Sequence, residues 1–207
     1  MSKGCLFIVS APSGAGKTSI IRGALQKLSL IEMSVSYTSR AKRGAEVDGV
    51  DYSFIEKDRF KQLIESNFFA EWADVFGNYY GTSLEDTKNK LNSGKDLFLD
   101  IDWQGADILK QLDLPIVTVY IMPPSLAVLK DRLFSRNTDM LVDINLRMSE
   151  VASEAQNYHK YDYLIVNNVF EDAVADLCSI VRSYRLRTAF QRDLHQDLIK
   201  SLTVNNN

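Results

Sequence analysis

Residues Ser10-Ala11-Pro12-Ser13-Gly14-Ala15-Gly16-Lys17-Thr18 constrain this chain more than any other stretch. They separate an apolar run, Leu6-Phe7-Ile8-Val9, from a segment in which Ile20, Ile21, Ala24, Leu25 and Leu28 recur at helical spacing. A strand, a glycine-bearing loop and a helix in that order form the context of a phosphate-binding loop. Gly14 and Gly16 let backbone N–H groups close around phosphate oxygens, because no Cβ stands in the way. Lys17 brings positive charge to the β and γ phosphates, the Thr18 hydroxyl suits Mg²⁺, and the start of the helix adds its dipole. The strict GxxxxGK[ST] pattern lacks its first glycine, where Ala11 stands; alanine is the smallest substitute and is tolerated where φ is negative.

Three further apolar runs predict buried strands: Leu97-Phe98-Leu99, Ile116 to Met122, and Tyr163 to Val166. Helical patterns alternate with them, including Ala173, Leu177, Ile180, Val181 and Tyr184 near the end. Continuous apolar strands alternating with amphipathic helices predict a mostly parallel sheet covered on both faces, a three-layer α/β/α core. Two segments interrupt the alternation. Residues 35–86 are polar, rich in Tyr, Gly and Asp, and carry turn signals at Asp48-Gly49 and Gly77-Asn78, which predicts short antiparallel strands inserted in the main sheet. Residues 125–157 carry Arg and Lys on helical stretches without a strand. Leu186, Phe190, Leu194 and Leu198, spaced by four, predict one long C-terminal helix that packs on the core or forms a subunit interface, with core packing preferred.

Composition narrows the function classes. In 207 residues, 45% hydrophobic and 25% charged, there is material for a sizeable core, so disorder is excluded. A net charge of −3 argues against a broad basic surface for nucleic acid. Cys5 and Cys178 lie far apart without CxxC spacing, which argues against a disulfide framework or a zinc site. The short apolar run after Met1 is too brief for a signal-peptide core or a membrane span, so a cytoplasmic protein without a membrane partner is expected.

Taken together, Ser10 to Ser19, Tyr37-Thr38-Ser39-Arg40, Gly77-Asn78-Tyr79-Tyr80-Gly81-Thr82 and Leu99-Asp100-Ile101-Asp102-Trp103-Gln104-Gly105 resemble the guanylate kinases of bacterial type, a family of P-loop nucleoside monophosphate kinases. The resemblance runs from about Gly4 to Ser183 and includes Met122-Pro123-Pro124-Ser125 and Ile165-Val166-Asn167. It implies transfer of the γ-phosphoryl group of ATP to GMP, and to dGMP, with Mg²⁺. It also implies a P-loop core (1–35, 87–124 and 158–207), a small mixed α/β GMP-binding insertion (36–86) and a helical lid (125–157). A monomer or a homo-oligomer is compatible with it.

By the same resemblance, Ala11, Pro12, Ser13, Gly14, Ala15, Gly16, Lys17 and Thr18 bind ATP together with Arg132, Arg136 and Asn167. Arg40 and Arg43, with Tyr52 and Tyr80, hold the GMP phosphate; Arg can grip it bidentately. Glu71, with Ser36 and Thr82, contacts guanine, whose adjacent N–H donors match a carboxylate. Asp102 contacts the guanine edge, and Asp100 orients arginines and reaches Mg²⁺ through water, while Thr18 binds the ion directly. Lys17, Arg40, Arg136 and Arg147 are the expected catalytic residues. Phosphoryl transfer needs positioning and charge neutralisation rather than a general base, since a phosphate monoester is itself largely a dianion at neutral pH. Accordingly His159 and His195 are expected to be structural or surface residues.

Residue type alone leaves alternatives. Asp100 and Asp102, on the same side of a strand end, could cap the next helix at Gln104. Arg182, Arg185, Arg187 and Arg192 are expected on a solvated face. Departures from the family pattern are Lys42-Arg43-Gly44-Ala45-Glu46, where Pro-Arg-x-Gly-Glu is usual, Asn137 after Arg136, and Asn168 after Asn167. A non-catalytic binding module of the same fold and a P-loop enzyme for another acceptor are the competing readings.

Overall fold

The structure, a computed structural model, describes residues 3–75, 77–135 and 151–203; Arg136, Asn137 and Arg147 lie outside the described residues. Its main sheet has five parallel strands in the order β2 (Ile31–Met33), β7 (Asp96–Asp100), β1 (Leu6–Ser10), β8 (Ile116–Met122) and β9 (Tyr163–Val166). All of β1 is buried, and alternate residues serve opposite faces, as the period of a strand requires. Phe7 and Val9 pack with Ile20 and Ala24 of α1 (Lys17–Lys27) and with Val174, Leu177 and Val181 of α6 (Phe170–Arg185). Leu6 and Ile8 pack with Leu91 of α3 (Leu84–Asn92) and with Ala106 and Leu109 of α4 (Trp103–Leu109). Two covered faces explain an unbroken apolar strand, and each buried Leu or Phe contributes about 1.5–3 kcal/mol.

The insertion differs from the sequence expectation in two respects, its separate sheet and one parallel strand pair. Its strands β3 (Tyr37–Thr38), β4 (Ser53–Phe54), β5 (Phe69–Val75) and β6 (Asn78–Ser83) form their own sheet, ordered β4-β3-β6-β5, rather than joining the main one. The β3–β4 pair is parallel and the other two pairs are antiparallel. Helix α2 (Lys57–Glu65) covers this sheet through Phe60, which stacks on Phe69 at 4.3 Å between ring centroids. Helix α5 (Leu126–Ser135) opens the predicted helical excursion, and residues 151–155 return as helix before a 3-10 turn, Gln156–Lys160.

The C-terminal expectation of one helix is corrected. Three helices follow β9: α6, then α7 (Thr188–Leu194) and α8 (Gln196–Thr203). Arg187, at ψ 137°, and His195, at φ −112° and ψ 30°, leave helical geometry and break the run. Phe190 meets the ring of Tyr184, whereas Leu186, Leu194 and Leu198 are exposed and do not pack on the core. Arg185 is also not on a solvated face. Its Nε donates to Oδ2 of the buried Asp96 at 2.8 Å, and its Nη2 donates to the Ser29 carbonyl at 2.8 Å. The other oxygen of Asp96 accepts the backbone N–H of Cys5 at 2.7 Å. Sequence spacing gave no hint of this partner, because Asp96 is 89 residues away.

Candidate active site

The strand register builds the phosphate end. Val9 is paired with Asp100 across β1 and β7, so the end of β7 arrives beside the loop that leaves β1. Gly14 and Gly16 have φ of 87° and 96°, values that favour glycine. Among the described non-glycine residues only Leu30 and Asn67 have positive φ, so Ala11 occupies ordinary backbone and replaces glycine there without strain. Lys17 Nζ lies 2.5 Å from Asp100 Oδ1, and the Thr18 hydroxyl donates to Asp100 Oδ2 at 3.3 Å.

The loop is braced from behind. Asn167 Nδ2 donates to the Ala15 carbonyl at 2.7 Å, and Arg132 donates to the same carbonyl at 3.4 Å and to the Asn167 carbonyl at 3.2 Å. A Cβ on Gly16 would meet Asn167 Nδ2 at 2.5 Å, so this brace fits only a glycine. Ala15 is buried against the core. Asn167 Oδ1 is buried and has no hydrogen-bond partner among the described residues.

A cavity of about 510 Å³ lies against the loop. Ala11 to Gly14, Gly16, Lys17 and Thr18 form one wall; Ser36, Tyr52, Glu71 and Tyr80 of the insertion form the other, with Asp100 and Asp102 at the strand end between them. Glu71 is brought inward by a bulge in β5, where the register shifts between Phe69 and Glu71. It is only 6% exposed, and Thr82, itself buried, donates its hydroxyl to Glu71 Oε1 at 2.6 Å. Burial, helped by the Asp102 carboxylate, pushes the Glu71 carboxyl up to about 7. Asp102 caps α4, but its side chain accepts from Gly105 N at 2.9 Å rather than from Gln104.

Arg40 is buried against the aromatic edge of the insertion, its guanidinium 5.4 Å from the Tyr52 ring centroid. Glu46 grips it bidentately at 2.8 and 3.0 Å and also accepts the Arg43 backbone N–H at 2.8 Å. These contacts, Arg40 foremost, hold the Glu46 carboxyl down at about 2. Gly44, at φ 45°, makes the turn that the displaced glycine of this stretch requires. Burial first, then the Asp100 carboxylate, raises the Tyr52 phenol, which keeps its proton available for donation. The Arg43 side chain is exposed, outside this cluster. Both histidines are exposed, as expected.

A family model described as guanylate kinase matches residues 3–184. The chain belongs to the guanylate kinase family. It is 48% identical over 202 residues to the guanylate kinase of Shewanella violacea, covering 97% of this chain and 98% of the relative. It is 46% identical over 201 residues to that of Pseudoalteromonas translucida, with 97% and 98% covered. The crystal structure of guanylate kinase from Anaplasma phagocytophilum superposes with a TM-score of 0.75 at 31% identity, covering 94% of this chain and 95% of that one. The guanylate kinase resemblance drawn from the sequence is thereby borne out, and so is the α/β fold. No helix among the described residues is long and apolar enough to cross a membrane.

Two contributors to the site were not singled out from the sequence. Glu46 appears in the sequence as the end of the departing stretch Lys42-Arg43-Gly44-Ala45-Glu46, with no role attached, and its bidentate grip depends on the turn at Gly44. Glu154 lines the cavity from the far end of the helical excursion, and no local pattern marks it.

Proposed function

We propose that this chain carries out its family's reaction, transfer of the γ-phosphoryl group of ATP to GMP or dGMP, with the phosphate loop and the insertion wall holding the two substrates. The observation that carries the reading is one cavity with Lys17 and Thr18 on one wall and the buried Glu71 on the other. Backbone N–H groups of residues 13–18 cradle the ATP phosphates, with Ala11 and Pro12 shaping the start of the loop, and Lys17 moves from Asp100 to the β and γ oxygens. Arg132, already against the loop, extends the cationic wall from the lid, and Arg136 and Arg147 complete it. Asn167 Oδ1 is left as an acceptor for the amine of adenine.

On the insertion side, Arg40 and the hydroxyls of Tyr52 and Tyr80 hold the GMP phosphate, with Arg43 arriving from the exposed loop. Ionised Glu71 accepts from the two adjacent donors of guanine, with Thr82 fixing its free rotation, and Ser36 and Asp102 complete the base contacts. Adenine offers the opposite donor and acceptor pattern and would leave a dry carboxylate unpaired. The GMP phosphate is the nucleophile and arrives mostly deprotonated, so no side chain takes a proton from it. What the protein supplies is proximity, in-line orientation and charge neutralisation.

The residues fit Mg²⁺: Thr18 and Asp100 present oxygen donors of the kind this ion prefers, already converged at 3.3 Å. Thr18 would hold it directly and Asp100 through water, and the ion would neutralise charge between phosphates. Neither nucleic acid nor a membrane enters this reading, which is that of a cytoplasmic enzyme. The test is ADP formation from ATP and Mg²⁺ with GMP, dGMP, AMP, CMP and UMP in parallel. Turnover with GMP and dGMP alone is expected. Turnover with another base would refute the role of Glu71, and none with any acceptor, from folded protein that binds GMP, would make the chain a binding module.

A further inference from the structure

We propose that Gly105, the third residue of α4, is a positioning residue that sets guanine specificity by holding both base-reading carboxylates in place. The inference rests on the assignment of Glu71 and Asp102 to guanine above. A Cβ built on Gly105 would stand 3.2 Å from Glu71 Oε2 and 3.1 Å from Ile101 Cδ1. Its backbone N–H donates to Asp102 Oδ1 at 2.9 Å. One residue therefore fixes Asp102 through its main chain and gives Glu71 room through its missing side chain.

Glu71 has little freedom to retreat. Its other oxygen is tied to Thr82 at 2.6 Å, and the residue is only 6% exposed. Backbone conformation does not explain the glycine, because Gly105 is helical with no positive φ. Glycine is also a poor helix former beside alanine. Space for the carboxylate is the physical reason that remains, and Ile101, whose terminal methyl can rotate away, is the softer of the two neighbours.

Steady-state kinetics of the full chain with GMP and with inosine monophosphate, which lacks the exocyclic amine of guanine, test this. In Gly105→Ala the KM for GMP should rise about tenfold and the GMP-over-IMP ratio of kcat/KM should fall, because the lost contact is one that guanine alone makes in full. The KM for ATP should stay within about twofold and the thermal midpoint within about 3 °C. An unchanged GMP KM in folded Gly105→Ala, or equal losses for GMP and IMP, overturns the proposal. So does recovery in Ile101→Val/Gly105→Ala, since that variant relieves only the packing contact. Glu71→Gln separates the two levels: if it leaves the GMP-over-IMP ratio unchanged, the base-reading assignment itself fails. If it lowers the ratio and Gly105→Ala does not, only the role of Gly105 falls. Should Gly105→Ala not fold, refolding of Glu71→Asp/Gly105→Ala, one methylene shorter, supports the carboxylate contact, and failure to refold overturns it.

Discussion

On the assignment proposed above, the two ends of the cavity meet different recognition problems with different materials. At the phosphate end the groups on offer are backbone, one charge and one hydroxyl: glycines at φ 87° and 96°, Lys17 and Thr18. The base end is made of side chains in a dry setting, a Glu71 carboxylate 6% exposed and tied to a buried threonine. A phosphate is highly charged and symmetric, so a concave array of donors suffices and little shape is needed. A base is nearly neutral and asymmetric, so selectivity demands a fixed acceptor that is costly to leave unpaired. Rate should therefore be lost at the first end and selectivity at the second.

The sharpest way to break that division is Lys17→Ala. It should lower kcat by about 10²–10³, as expected for removing one charge-stabilising group, and leave the ranking of GMP over AMP unchanged in the acceptor assay. A changed ranking would show that the two ends are not separable. Next in size is pH. On the proposed assignment GMP needs the ionised Glu71 carboxylate, whose burial lifts it to about 7, so the KM for GMP should climb about tenfold between pH 8 and 6. Glu71→Gln should keep only the shallower rise due to the phosphate's own ionisation near about 6. For the empty protein the sign is reversed: the neutral carboxyl is favoured, so its contribution to stability is complete below the ordinary carboxyl range and is lost as pH rises through about 7. A melting curve that is flat from pH 5 to 8 would argue against the burial cause. The smallest effect is expected from Glu46→Gln, which frees Arg40 from its bidentate partner. KM for GMP should rise less than about tenfold with kcat little changed, as a charge-assisted contact is weakened and not deleted. A fall in KM would reveal that Glu46 competes with the GMP phosphate for Arg40.

The same contrast explains what the sequence could disclose. The phosphate end is local: nine consecutive residues carry it, and their spacing is dictated by chemistry, so Ser10 to Thr18 and the strand before them were legible directly. The base end gathers residues 36, 71, 82 and 102 from strands of the insertion and the segments beside both sheets, and a glutamate in Phe69-Ala70-Glu71-Trp72 looks like any surface residue until the bulge in β5 is known. Only the family resemblance pointed to it. The main sheet was legible through its continuous apolar strands, except β2, whose three half-buried residues include Glu32 and resemble a loop. The insertion's separate sheet was missed because strands of two residues carry too little alternation to assign partners. The break at His195 escaped because leucines spaced by four continue across it.

Asp96 sets a boundary on how short this chain can be. Its carboxylate lies inside the core at 2% exposure, bonded to the backbone N–H of Cys5 just before β1, and the guanidinium paired with it comes from Arg185. The family match ends at residue 184, one position earlier. A chain trimmed to the matched segment would keep every residue proposed to face a nucleotide and yet strand a bare anion beneath the strand that launches the phosphate loop, a fault that would surface as failure to fold well before it surfaced as loss of chemistry.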